Sequence, residues 1–196
     1  MRLFVALDID EAIRERIARF VEGVRGFAPE ARWVRGESMH VTLKFIGEVA
    51  AEGIGATQGA LAGVRSDAVA LEFRGCGFFP SSKSARVFWV GIQGGEELAG
   101  LAGSVDRALE VVGIARDKHA YTPHLTLARG AGGSGSPRWR KGDTENSQFA
   151  KLQEKLASLT AEFGTMTARE FFLYQSELSP KGSRYTKVTR YGLGQD

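Results

Sequence analysis

Cysteine is almost absent from this chain of 196 residues, in which Cys76 stands alone. A single cysteine excludes an intrachain disulfide and a multi-thiolate metal site. Nothing near it in sequence supplies a base, so a buried, inert thiol is the expectation rather than a nucleophile. Proline is scarce at five residues, whereas 25 glycines call for many turns. Long apolar runs are missing too, and none approaches the roughly 20 residues that span a bilayer. The opening Met1-Arg2-Leu3-Phe4-Val5-Ala6-Leu7-Asp8 meets acids at once and has no small-residue cleavage site. It reads as a first strand and not as a secretory leader, which makes a cytoplasmic location the expectation. Histidine is the third shortage, with only three in the chain.

What is present is the composition of an ordinary globular protein, 43% hydrophobic and 25% charged. The length suits one sizeable core or two small lobes that share an interface. A net charge of +3 is mildly basic and compatible with a polyanionic partner. A strand from Leu3 to Ile9 leads into a helix with Ile13, Ile17, Phe20 and Val24 at helical spacing. Strands follow at Arg32 to Val34 and Met39 to Ile46, then an Ala-rich helix from about Ala51 to Val64. Val69 to Phe73 and Arg86 to Ile92 alternate as half-buried strands do. A helix from Glu96 to about Val112 precedes a strand at Tyr121 to Arg129. The segment from Gly130 to Asn146 has no periodicity and holds the densest basic group, Arg138, Arg140 and Lys141. It reads as a mobile basic loop in which Trp139 is either a stacking surface for a base or a loop anchor. A helix from about Phe149 and strands at Met166 to Gln175 and Arg184 to Tyr191 close the chain. Strands that follow one another directly predict an α+β fold with largely antiparallel sheet.

One pattern occurs twice. Met39-His40-Val41-Thr42-Leu43 and Pro123-His124-Leu125-Thr126-Leu127 share the order His, apolar, Thr, apolar, one copy in each half of the chain. Side chains on a strand alternate with period two, so His40 and Thr42 face one way and Val41 and Leu43 the other. The same holds for His124 and Thr126 against Leu125 and Leu127. A single His-x-Thr is weak evidence, but two copies use two of the three histidines. Two lobes packed about a pseudo-twofold axis would bring both pairs to one groove. Paired histidines near their ordinary pKa of about 6.5 suit phosphodiester cleavage, one taking a proton from water and the other giving one to the leaving oxygen. Two threonine hydroxyls can donate to non-bridging phosphate oxygens. This chemistry needs no metal and no other cofactor. His119 fits no such pattern and is expected on the surface.

With these motifs in view the chain resembles the RNA 2′,3′-cyclic phosphodiesterases, also called 2′–5′ RNA ligases, of the two-histidine phosphoesterase superfamily. The resemblance runs from Arg2-Leu3-Phe4-Val5-Ala6-Leu7-Asp8 through Met39-His40-Val41-Thr42-Leu43-Lys44-Phe45-Ile46-Gly47-Glu48-Val49 and Pro123-His124-Leu125-Thr126-Leu127-Ala128-Arg129. It ends on the closing segment from Phe172 to Tyr185. It implies a single bilobed domain over residues 1–196, with the flexible basic loop at about 130–146 and a central cleft. It implies hydrolysis of an RNA terminal 2′,3′-cyclic phosphate to a 2′-phosphate, with 2′–5′ ligation as the reverse reaction. By the same resemblance His40 would be the general acid and His124 the general base, roles that the near-symmetric motifs alone leave open. Thr42 and Thr126 would hold the phosphate.

Two further residues are candidate substrate contacts. Strict alternation from His124 turns Arg129 away from the cleft, so it reaches the substrate only if the strand ends or bulges there, which Gly130 would permit. Lys44 shares the face of His40 and Thr42 by the same alternation, and either approaches the phosphate or is a solvated strand-end lysine. RNA ends or nucleotides bearing a 2′,3′-cyclic phosphate are the expected partners, with no membrane and no metal, and the chain is expected to be a monomer. The alternatives are a superfamily relative acting on small nucleotide cyclic phosphates and a non-catalytic nucleotide- or RNA-binding module that keeps the fold.

Overall fold

In the computed structural model, residues 1–130, 148–179 and 182–194 are described. The expected basic loop, with Trp139, Arg138, Arg140 and Lys141, lies outside them but for its first residue, Gly130. The elements are β1 (Arg2–Leu7), α1 (Glu11–Val24), β2 (Arg32–Trp33), β3 (Val41–Glu48), α2 (Ala51–Ala62), β4 (Val69–Phe79) and β5 (Val87–Gln93). They continue with α3 (Gly95–Glu110), β6 (His124–Arg129), α4 (Ala150–Leu156), β7 (Glu162–Ala168), β8 (Glu170–Ser179) and β9 (Gly182–Gly192). The fold is α+β, as the order of elements predicts. Two antiparallel sheets form, one in the order β3-β1-β8-β9 and the other β2-β6-β5-β4-β7.

The single strand expected at Met166 to Gln175 is in fact two. Glycine and threonine dominate β7, which pairs with β4, whereas β8 pairs with β1 in the other sheet. Only Arg169 separates them, and there the chain passes from one sheet to the other. Periodicity sees a continuous apolar-polar alternation and has no access to which sheet each half joins.

Helices lie against one face of each sheet. Ile13, Ile17, Val21 and Val24 of α1 and Leu98, Leu101, Val105 and Leu109 of α3 are buried in one continuous core with Leu3, Val5 and Leu7 of β1 and Leu71, Phe73, Phe88 and Val90 of β4 and β5. The other face of the first sheet carries a separate apolar cluster, Phe4, Ala6, Phe172 and Tyr174, with Tyr185 packed against it. Strand β1 is thus buried on both sides, Leu3, Val5 and Leu7 toward the helices and Phe4 and Ala6 toward the cleft.

Lys44 occupies the helix side. Its side chain is 2% exposed, and its Nζ donates to the Asp106 carboxylate of α3 and, at 2.8 Å, to the Ala115 carbonyl. Asp117 adds a second carboxylate at 3.5 Å, and Arg116 Nε meets Asp106 at 3.3 Å. Burial alone would raise the Asp106 pKa, but the bonds from Lys44, the Asp117 amide and Arg116 outweigh it and hold the carboxyl below its ordinary value. Removing one partner of a buried pair leaves an uncompensated charge, which costs about 3–5 kcal/mol. Asp106→Ala is therefore expected to lower the unfolding free energy toward that range, softened by Asp117. Urea denaturation with an unchanged m-value measures it.

Candidate active site

The two histidine strands share an irregularity in the same place. Thr42 pairs with Ala6, and the next paired residue, opposite Val5, is Lys44, so Leu43 is an extra residue in β3. Thr126 pairs with Trp89, and the next, opposite Phe88, is Ala128, so Leu127 is extra in β6. A bulge of this kind reverses the alternation beyond it. Leu43 and Lys44 are consecutively buried, as are Leu127 and Ala128, and the residues after them, Phe45 and Arg129, come out on the side of the histidines.

One pocket collects the products of both bulges. It is lined by His40, Thr42, Phe45, His124, Thr126 and Arg129, together with Val34, Ser38 and Tyr185. Five of the six candidate side chains are thus brought together. Lys44 is the correction: the bulge at Leu43 swings it to the opposite face, where it is tied to Asp106 and does not line the pocket. The same device acts in the opposite sense on Arg129, which strict alternation would have turned away. Phe45, 59% exposed, and Tyr185 are pocket residues that alternation did not find. The only signal for Tyr185 was its place in the closing segment. His119 is exposed, away from this set. Cys76 is partly buried, and burial pushes its thiol up to about 12, which fits an inert cysteine.

Both imidazoles are held in the same way. His40 Nδ1 lies 2.8 Å from the Ser38 carbonyl, and His124 Nδ1 lies 2.8 Å from the Thr122 carbonyl. A carbonyl only accepts, so each Nδ1 carries the proton and each Nε2 is left for the substrate. The surroundings differ. His40 sits among Phe4 at 4.8 Å, Tyr185 edge-on at 5.1 Å and Tyr174 at 6.1 Å between ring centres. His124 meets the Phe79 ring edge-on at 4.9 Å. Tyr121 donates from its hydroxyl to the Thr42 carbonyl at 2.9 Å, joining the first motif to the segment just before the second.

Burial lowers both histidine pKa values, His40 to about 4, and the neighbouring Arg129 charge pushes the same way. The carbonyl contacts at Ser38 and Thr122 oppose this without overcoming it. Burial also lowers Arg129, assisted by the charges of Arg32 and Arg2, although a guanidinium stays charged at neutral pH. An anion at this place would be drawn to Arg129 and would stabilise a charged imidazole. Among the described residues no group of three or more His, Cys, Asp or Glu side chains is placed to hold a metal. A larger open depression lined by Glu72, Gln93, Gly94, Glu97 and Thr165 contains no histidine and lies apart from these residues.

Two pseudo-equivalent bulged strands, each delivering a histidine and a threonine to one cleft, define the two-histidine phosphoesterases as a class. The chain belongs within that class to the LigT-like phosphoesterases, whose family model matches it twice, at residues 7–89 and 90–185, one motif in each match. An RNA 2′,3′-cyclic phosphodiesterase of Archaeoglobus fulgidus is 36% identical over 94% of this chain and 96% of its own length. Another of that name from Methanothermobacter thermautotrophicus is 30% identical over 98% and 99%. The crystal structure of Escherichia coli LigT complexed with 3′-AMP superposes with a TM-score of 0.76 at 27% identity, covering 99% of this chain and 98% of that one. No helix among the described residues is long and apolar enough to cross a membrane.

The lowered pKa values fix the sign of a pH effect. In the empty cleft both imidazoles are neutral at pH 7, whereas acid-base catalysis needs one charged. The fraction with one proton therefore rises as pH falls below the usual histidine range. A bound phosphate anion raises both values. The falling limb of kcat/KM, which reports the free enzyme, is expected below pH 6.5, and that of kcat at higher pH. Identical limbs in the two profiles would contradict this account.

Proposed function

We propose that this chain opens the 2′,3′-cyclic phosphate at the end of an RNA and leaves a 2′-phosphate. The observation that carries the reading is the pair of matched bulges, which supply His40, Thr42, His124, Thr126 and Arg129 to one cleft. Relatives over nearly the whole length that bear the name of this activity support it.

The chemistry follows from the orientation of each group. Nε2 of neutral His124 accepts a proton from water as the water oxygen forms its bond to phosphorus. The P–O3′ bond breaks, and Nε2–H of charged His40 gives its proton to O3′. The aromatic surroundings of His40 make its imidazolium a strong donor once the substrate anion has induced it to charge. Thr42, Thr126 and Arg129 donate to the non-bridging oxygens, where negative charge grows in the transition state. Protonated His124 and neutral His40 then exchange their proton through solvent. With a 5′-hydroxyl attacking at phosphorus as leaving 3′-oxygen chemistry runs backward from a 2′,3′-cyclic end, the same pair can form a 2′–5′ linkage. Neither direction requires a metal or a nucleotide triphosphate.

Both histidines come from one chain and one continuous core backs both sheets, so residues 1–196 act as a single bilobed unit. A monomer is sufficient. The absence of any disulfide and the RNA-end chemistry fit a cytoplasmic enzyme.

Incubating a short RNA that ends in a 2′,3′-cyclic phosphate, in EDTA, with wild type and with His124→Ala tests the reaction. A 2′-phosphate formed by wild type alone is expected. A 3′-phosphate would reverse the leaving group, and activity lost in EDTA but restored by zinc would overturn the metal-free mechanism. Turnover confined to mononucleotides would move the assignment to small cyclic phosphates. Thr42→Val and Thr126→Val are each expected to lower kcat/KM by roughly 10- to 150-fold, the equivalent of about 1.5–3 kcal/mol for a hydrogen bond to a charged group.

A further inference from the structure

Arg129 is not the only guanidinium at its end of the cleft. Arg32 is its direct cross-strand partner between β2 and β6, and paired residues share a face. The neighbours of Arg32 confirm the direction. Trp33 turns inward, with its ring 6.0 Å from Phe88 and its Nε1 donating to the Ala28 carbonyl, while Val34, on the parity of Arg32, lines the pocket. Arg2 arrives from the other sheet. It has the parity of Phe4, whose ring contacts His40 and lies 6.1 Å from Phe45. The charges of Arg2 and Arg32 both act on Arg129.

Like charges placed directly opposite one another destabilise a sheet. Neither the Arg2 nor the Arg32 guanidinium has a hydrogen bond or ion pair among the described residues, and both side chains are exposed. Glu48, which stands opposite Arg2 in register, is instead 3.5 Å from the N-terminal amine. The concentration of positive charge is therefore left unbalanced by the protein. A cyclic phosphodiester carries one negative charge, which Arg129 and one charged imidazole already match. Two more guanidinium groups exceed what that phosphate requires.

We infer that Arg2 and Arg32 form a second anion subsite, beside the cyclic phosphate, that takes the phosphate on the 5′ oxygen of the terminal nucleotide. In an RNA this is the next phosphodiester of the backbone, so the subsite favours a polymer end over a bare nucleoside cyclic phosphate. It rests on the cleft being the site of cyclic-phosphate hydrolysis. Flexible arginine side chains at cross-strand spacing from Arg129, about 5 Å between Cβ atoms, suit a phosphate one nucleotide away and read no base.

Three substrates separate the phosphate from the rest of the upstream nucleotide: a nucleoside 2′,3′-cyclic phosphate, the same compound with a 5′-phosphate, and a dinucleotide ending in the cyclic phosphate. Wild type is expected to show a KM at least tenfold lower for the second and third than for the first. Arg2→Gln and Arg32→Gln should each shrink that ratio, and the double variant should bring it within about twofold, with thermal unfolding midpoints unchanged. A gain shown by the dinucleotide but not by the 5′-phosphorylated mononucleotide would place the preference in the upstream nucleoside and overturn the subsite. So would variants that keep the ratio, or a wild type with none. Calorimetric binding of a nucleoside 2′-phosphate with and without a 5′-phosphate gives the same comparison without turnover. A 5′-phosphate that tightens binding in wild type and not in the double variant would keep the subsite even if no cyclic phosphate were hydrolysed, an outcome that would sink the proposed reaction alone.

Discussion

A strand can present His and Thr on one face only while its alternation holds, and an arginine five residues after the histidine falls on the wrong face. The extra residue in each motif strand, Leu43 in β3 and Leu127 in β6, resolves this conflict. It buries two consecutive residues against the helices and returns the next to the cleft. Everything at the site depends on it: the position of Arg129, the exposure of Phe45, and the diversion of Lys44 into the core. The two copies of the bulge also break the symmetry they share, because the equivalent positions hold Phe45 in one lobe and Arg129 in the other. One side of the cleft is therefore aromatic and the other cationic.

Charge explains why such a cleft binds and reacts with an anion. Its histidines are lowered by burial, and its arginines crowd one another, so the empty site holds more positive character than its surroundings relieve. A phosphate would restore the balance and bring one imidazole into its charged, proton-donating form. Binding and activation are then one electrostatic event. Elsewhere buried charge is matched within the protein. Lys44 has Asp106, and Asp8 has Lys187 at 2.6 Å and Arg14 at 2.8 Å, with burial opposing and these bonds lowering its pKa.

The architecture was largely legible because its signals are local. Helical spacing located α1 and α3, alternation located β1, β4 and β5, and direct strand succession implied antiparallel sheets. The split at Arg169 was not legible, because β7 and β8 differ in their partners and not in their pattern. Phe45 and Lys44 were exchanged for a similar reason. Nothing in Leu43 distinguishes an extra residue from an ordinary inward one, since both are apolar and buried.

The sequence by itself determined the reacting groups, two histidines and two threonines in a repeated order, and the class of fold that could bring them together. Those are matters of residue type and period, which the chain carries locally. Only the tertiary structure decided which cations face the substrate. Register across β1–β3, β5–β6 and β2–β6 is set by pairing between segments far apart in the chain. A one-residue shift in that pairing removes Lys44 from the cleft, admits Arg129, and sets Arg32 beside it.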